Sequence, residues 1–563
     1  GDMQRTRLKD MKALIFVGAN DTFLPGALIR SGLLTERDRD KFATGKIHLS
    51  PGGKEKAYEQ KFYLYMNLTK PSETLDIYYS KVSADGKSIR PSYLIQEMQR
   101  LFSGLEIEDE EKQAFSAQEW TPRLGMQKVI RGFQDGNAMD QEWQELYSWY
   151  KRQPQWQYRV EELMKSGFYT RPADGLTKEV AKQLYGEHFQ DSITRIERFS
   201  ACAFAHFLTY GLRLRERQIY EFQPIDLGNV CHSALEYYSR KLKEEHLFWT
   251  EIEEEKRQEY IDDSVEHAIS DYGNSVLYSS ARNEYMIERM KRLLTRTIWA
   301  LTKQLEAGDF VPVAYEMRFE NGKIDRVDLC KDKDKVYVKV LDYKTGSKAF
   351  DVVALYHGLQ LQLMVYMDAA VKMTQKHYPD SEVIPAGVFY YRLNDPLVEK
   401  KVVGEEEEIW QKVLKELKVD GVMNLKDETL EHLDHCQAGE SAVIPVKYNK
   451  NGSLSKNSKV ASEQEFEVMM RHALGKVLKV HRKILSGEVA AFPYRRKQES
   501  GCDYCAYRHI CGFDQKIPGY KYRDIFEMTQ SEVIAAMEAD AVKENMNRDD
   551  HEKEQEKGTG SWE

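Results

Sequence analysis

Between residues 311 and 344 apolar and polar positions fall into three successive runs of strand type. Val311 to Glu320 alternates, Lys323 to Cys330 follows a turn at Asn321-Gly322, and Val336 to Leu341 is almost unbroken Val, Leu and Tyr. The pattern predicts three adjacent strands, the last of them central and buried. Downstream the period changes to that of a helix over His357 to Lys372, then Val383 to Leu393 returns as an apolar strand, which predicts a helical crossover. Upstream, helices are expected from Ser192 to Arg217, from near Gly228, over 254–272 and over 282–307. Arg282, Arg289, Arg292 and Arg296 recur at helical spacing in the last of these, as a solvated face does. Residues 394–460 read as peripheral, 462–486 as a long helix and 530–545 as a final one, before a charged tail over 546–563 expected to be disordered.

The first third has its own pattern. Ala13 to Val17 reads as a short buried-type strand without an obvious sheet, which suggests that the sequence begins inside a larger α/β domain. Tyr58 to Leu68 reads as a helix, Leu75 to Ser80 as a strand and Pro91 to Phe102 as a helix. Gly86-Lys87-Ser88 resembles the end of a phosphate-binding loop, but Lys81 stands where the upstream glycine is required and no helix starts at Lys87, so it is read as a turn. Residues 105–190 are helical and charged, with Trp120, Trp143, Trp149 and Trp156 expected as core anchors of a connector.

Composition narrows the class. With 563 residues the chain exceeds one core, and 41% hydrophobic with 11% aromatic residues supports large interiors. No apolar run approaches the ~20 residues of a membrane span and no signal sequence opens the chain, so an intracellular, cytoplasmic setting is expected. The net charge of −9 means that nucleic-acid binding would use local basic patches. Seven cysteines, an odd number, do not form a secreted disulfide framework.

Two constellations carry chemistry. Asp325 lies in a strand position that should be apolar, Asp342 ends the third strand, and Lys344 shares the face of Asp342. Two carboxylates and an ammonium converging there are costly to desolvate for structure alone. They suit a divalent cation, magnesium or manganese, beside a lysine that orients water. The second constellation is Cys502-X2-Cys505-X5-Cys511, three thiols in ten residues and one short of a four-coordinate centre, zinc or iron–sulfur. His509 or a distant cysteine could be the fourth ligand. Cys202 is the better candidate, because one cluster would then staple both ends of the domain.

Taken in order, these features resemble the AddB family, in the RecB-like branch of the PD-(D/E)XK nuclease superfamily. The residues that carry the resemblance are His232 with Leu235-Glu236, the strand Gly322 to Asp328, the strand end Asp342-Tyr343-Lys344-Thr345-Gly346, Gln362 with Tyr366, and Cys202 with Cys502, Cys505 and Cys511. Phe16 to Asp21 resembles a strand and loop late in a helicase motor domain. Tyr63 to Lys70 resembles helicase motif VI, with Lys70 where an arginine fork is usual, so ATP hydrolysis by this chain is not expected.

The resemblance implies a restriction-endonuclease-like α/β fold: a mixed sheet flanked by helices, with an iron–sulfur staple, preceded by the end of a helicase-like domain. The expected divisions are 1–104, inactive motor end; 105–190, connector; 191–516, nuclease; 517–545, C-terminal helix; 546–563, tail. It implies magnesium held by His232, Asp325, Asp342 and the carbonyl of Tyr343, with Lys344, Gln362 and Tyr366 completing the catalytic set. A 4Fe–4S cluster on Cys202, Cys502, Cys505 and Cys511 is implied too. The implied activity is exonuclease cleavage of single-stranded DNA on the 5′-ended strand, in double-strand break repair and recombination, with an AddA-like helicase–nuclease partner. An alternative is a catalytically inactive DNA-binding module on the same fold, and the complete acidic set with Lys344 argues against it.

Overall fold

The computed structural model describes all residues except 25–34, 46–48, 110–120, 135–140, 172–174, 187–191, 218–223, 273–280, 320–321, 347, 397, 399–405 and 544–563. The chain divides into two compact units, Gly1–Val160 and Glu161–Glu563, so the division falls inside the stretch read as a connector. The charged tail and Trp120 lie outside the described residues, as do Asn321 of the expected turn and the side chain of Arg282.

In the first unit, β1 (Ala13–Val17) pairs in parallel with β2 (Thr74–Tyr78), and the helix Gly53–Leu68 connects them. The strand that the sequence left without a sheet therefore has one partner. Gly86 sits in a turn at φ +77°, where Gly86 N–H donates to Ser83 at 2.9 Å. Among the tryptophans, Trp143 is buried against Phe133 and Tyr147 and donates to the Val129 carbonyl at 3.1 Å. Trp149 is 40% exposed and is no core anchor.

The second unit is built on a six-stranded sheet in the order β3-β4-β5-β6-β7-β8: β3 (Val311–Phe319), β4 (Gly322–Asp332), β5 (Lys335–Lys344), β6 (Glu382–Arg392), β7 (Asp420–Asn424) and β8 (Val460–Ala461). β3, β4 and β5 are antiparallel neighbours, whereas β5 and β6 are parallel, as the helical crossover requires. β7 falls within the stretch read as peripheral, and β8 straddles its end. They are five and two residues long, too short for a periodic signal.

Alternation along the strands sends each sheet face into its own core. Cys330, Tyr337, Leu341 and Tyr343 pack against the helices Pro224–Glu244, Glu254–Tyr272 and Ala281–Glu306. Val327, Leu329, Val338 and Val340 pack against Ile193–Ala201, Gln362–His377 and Glu463–Leu485. The result is a mixed sheet between two helical layers. The last long helix starts where Ser462 and Glu465 form a reciprocal capping box.

Two helices differ from the sequence reading. The segment from Ser192 is broken: Ile193–Ala201 stops at Cys202, which is extended (φ −166°, ψ 117°), and Ala203–His206 runs on into a π-turn at Phe207–Gly211. Apolar spacing cannot register such a break, because residues on both sides stay buried. The helix expected over His357 to Lys372 instead begins at Gln362, behind a short turn Val352–Tyr356. Gly358 at φ +78° separates the two, a conformation that costs glycine little.

Candidate active site and cysteine cavity

The acidic cluster forms where β4 and β5 meet the two helical layers. Asp325 comes from the start of β4, and its Oδ2 accepts the Tyr343 N–H at 2.7 Å. Asp342, 1% exposed, is in ion contact with Lys344 two residues on. Lys344 Nζ donates to Gln362 Oε1 at 3.0 Å, and Gln362 Nε2 donates to the Tyr366 hydroxyl at 2.8 Å. The helix carrying Gln362 and Tyr366 thus fixes the lysine through one turn of side chains. His232 arrives from the opposite layer on the helix Pro224–Glu244, with Nδ1 3.5 Å from Asp325 Oδ2.

Electrostatics set these groups apart from a surface ion pair. Burial pushes the Asp325 carboxyl up to about 6. Burial and then the nearby Asp325 push Asp342 up to about 7, against the opposing pull of Lys344. Burial lowers His232, outweighing the attraction of Asp342, so its imidazole is neutral near pH 7 and able to act as a donor ligand. A cation between these groups would favour their ionised forms against the burial that raises both carboxyls.

Two contributors do not emerge from the sequence reading. Glu316 on β3 brings a carboxylate oxygen within 4.8 Å of the ligand atoms of both His232 and Asp325, and it pairs with Lys323 Nζ at 2.5 Å. Its one signal is an acid on the strand next to Asp325, which the plain alternation of Val311 to Glu320 hides. Glu197, on Ile193–Ala201, accepts the Leu361 and Gln362 N–H groups at 2.7 and 3.2 Å and so caps the helix that holds Gln362. Only the fold brings it there, across some 165 residues.

Asp328, in the same strand motif as Asp325, belongs to the other face. Arg326 grips it with two hydrogen bonds, Nε to Oδ1 at 2.6 Å and Nη2 to Oδ2 at 2.9 Å, and Lys339 Nζ lies 2.8 Å from Oδ2. Burial raises the Asp328 pKa, but the two cations outweigh it and hold the carboxyl below its ordinary value. The strand's period of two therefore splits the motif, with Asp325 facing the site and Arg326 and Asp328 locking the core beneath it.

At the far edge of this layer, Cys202, Cys502, Cys505 and Cys511 line one cavity of about 90 Å³ with Phe204, Pro493 and Tyr522 among its walls. The extended backbone at Cys202 ends one helix and starts the next: its N–H donates to Arg198 and its carbonyl accepts from His206. Burial pushes the Cys502 thiol up to about 11, with Cys202, Cys505 and Cys511 adding to the effect. Four thiols lining one cavity form a donor set that suits a thiolate-bound metal centre. His509 is exposed and does not line the cavity.

The comparisons with known proteins fall on the same regions. Residues 190–512 match the model of the PD-(D/E)XK nuclease superfamily, and residues 126–166 match that of the fifth domain of the ATP-dependent helicase/deoxyribonuclease AddB. The B subunit of an ATP-dependent helicase/deoxyribonuclease from Lachnoclostridium phytofermentans is 40% identical over 552 residues, 95% of this chain and 48% of that protein. Proteins of the same name from Clostridium perfringens and Thermoanaerobacter sp. are 32% and 29% identical, over 93% and 96% of this chain. The chain spans about half the length of the curated relatives it matches.

Proposed function

Because the chain belongs to the PD-(D/E)XK nuclease superfamily, we propose that the cluster at β4 and β5 hydrolyses phosphodiesters of DNA with magnesium or manganese. The observation that carries this reading is the connected set Asp325, Asp342, Lys344, Gln362 and Tyr366, with His232 beside it. His232, Asp325, Asp342 and the Tyr343 carbonyl would hold the cation, with Glu316 at its edge. When bound, the cation supplies Lewis-acid charge at a scissile phosphate.

The chain's own residues do the rest. Asp342 and Gln362 hold the Lys344 ammonium from two sides, so it meets an attacking water or a phosphate oxygen in a fixed position. Tyr366 fixes the Gln362 amide, and Glu197 fixes the helix beneath both. Cys202, Cys502, Cys505 and Cys511 would hold a 4Fe–4S cluster, joining the first helix of the domain to its last segments.

In the wider setting, we infer an AddB-like role: exonuclease action on single-stranded DNA of the 5′-ended strand, alongside an AddA-like helicase–nuclease partner, in cytoplasmic double-strand break repair. The motif VI-like stretch ending at Lys70 supports no ATP hydrolysis by this chain. Among the described residues no helix is long and apolar enough to cross a membrane. Single-stranded DNA labelled at either end tests the reading. Magnesium-dependent shortening, abolished by a chelator and proceeding from one end, supports it. Binding without cleavage under every divalent cation would replace it with the DNA-binding module.

A further inference from the structure

At the end of β4 remote from Asp325, a second group of metal-type donors comes together from three segments. Asp309 lies just before β3, Cys330 near the end of β4, and His432 in the helix Asp427–Leu433. Their ligand atoms all lie within 4.8 Å of one another. His432 Nδ1 is 2.8 Å from Asp309 Oδ2, and His435 Nε2 is 3.0 Å from the other carboxylate oxygen. Cys330 is 4% exposed, whereas Asp309 faces solvent and leaves an entry path.

The backbone is built for this meeting. Asp309 N–H donates to the His432 carbonyl at 2.8 Å, and His435 N–H donates to Ala307 at 2.8 Å. A Cβ on Gly308 would stand 2.4 Å from the His432 carbonyl oxygen and 2.6 Å from that of Leu433. Only glycine permits so close an approach, and without it Asp309 would be held away from His432.

We propose that Asp309, Cys330 and His432 form a zinc site, with His435 orienting Asp309 from its outer oxygen and water in the fourth position. One thiolate, one imidazole and one carboxylate make a mixed soft and hard set that suits Zn2+ and not Mg2+. Tetrahedral zinc holds nitrogen, oxygen and a single sulfur roughly 3.3 to 3.5 Å apart at ordinary bond lengths. The Asp309–His432 pair, at 2.8 Å, therefore opens by about 0.5 Å, and Cys330, within 4.8 Å of both, closes by at most roughly 1.3 Å. Binding replaces the Asp309–His432 hydrogen bond by two bonds to one ion: the His432 Nδ1 proton passes by way of solvent to Nε2, which leaves the imidazole neutral, and the Cys330 thiol gives its proton to solvent. The ion would clamp the Asp427–Leu433 helix to the sheet, a structural role separate from cleavage and independent of the nuclease reading.

Zinc affinity of the full chain, measured by competition with a chromophoric chelator, tests the site in wild type and in Cys330→Ser, His432→Gln, His435→Gln and Cys436→Ser. Zinc taken by the four-cysteine cavity is common to all of these and cancels. Cys330→Ser and His432→Gln should each lose one equivalent, and His435→Gln should bind it about 10- to 100-fold more weakly, as loss of an orienting partner does. Cys436→Ser should match wild type. His432 is only half-buried, so its variant keeps the test decisive if Cys330→Ser does not fold. Unchanged stoichiometry in folded His432→Gln, or loss of the equivalent in Cys436→Ser, would overturn the assignment.

Discussion

Asp325 and Asp342 define the behaviour of the site at the residue scale. Folding raises both carboxyls above their ordinary 3.8, to about 6 and about 7, so ionising them costs stability. That cost is absent below about pH 4, grows as pH rises through the folded-state values, and is complete above about pH 7. A divalent cation held by the ionised forms would offset it. Magnesium should therefore raise the Tm more near about pH 8, above both groups, than near about pH 5, below both. Equal shifts at both would mean that the carboxyls do not bind the ion. Glu316 and Lys323 beside them form a pair at 2.5 Å, which orders the edge of the site without entering the hydrogen-bonded line to Tyr366.

At the scale of elements, β4 carries two opposed tasks on its two faces. Arg326 and Asp328 are 2% and 0% exposed, with Lys339 completing the buried network. Removing Asp328 leaves two buried cations uncompensated, so Asp328→Ala should destabilise the second unit by about 3–5 kcal/mol. Chemical denaturation measures this, and a midpoint equal to wild type would show that the network contributes nothing. β3 was legible in sequence from its alternation and β5 from a nearly unbroken apolar run, which its burial on both faces explains. So were Asp325, Asp342 and Lys344, since acid in an apolar run stands out. The break at Cys202 and the late start of the Gln362 helix were not legible. Both depend on single backbone conformations that neighbouring apolar residues do not reveal. Glu197 and the Asp309 group were invisible for another reason: their partners are distant in the chain and meet only across the finished sheet.

Across the whole molecule, Cys202 and Cys502 are far apart in sequence yet line one cavity, and the sheet with its acidic cluster lies between them. A centre shared by these cysteines closes a very long loop and removes chain entropy from the unfolded state, worth roughly 5 kcal/mol for a comparable cross-link. Anaerobically purified protein should be brown and contain iron. Cys202→Ala should lose that iron as fully as Cys505→Ala does, whereas Cys231→Ala should keep it. Iron retained in Cys202→Ala would return the fourth position to another residue.

The central claim is that the buried carboxylates at the ends of β4 and β5 hold the cation that cuts DNA. Cleavage of a single-stranded oligonucleotide by wild type and Asp342→Ala, at equal concentration in magnesium, tests it most directly, with circular dichroism confirming that both are folded. Removing a metal ligand takes away several kcal/mol of transition-state stabilisation. The folded variant should therefore show no cleavage above background while wild type shortens the strand. A folded Asp342→Ala that cuts at the wild-type rate would contradict the account.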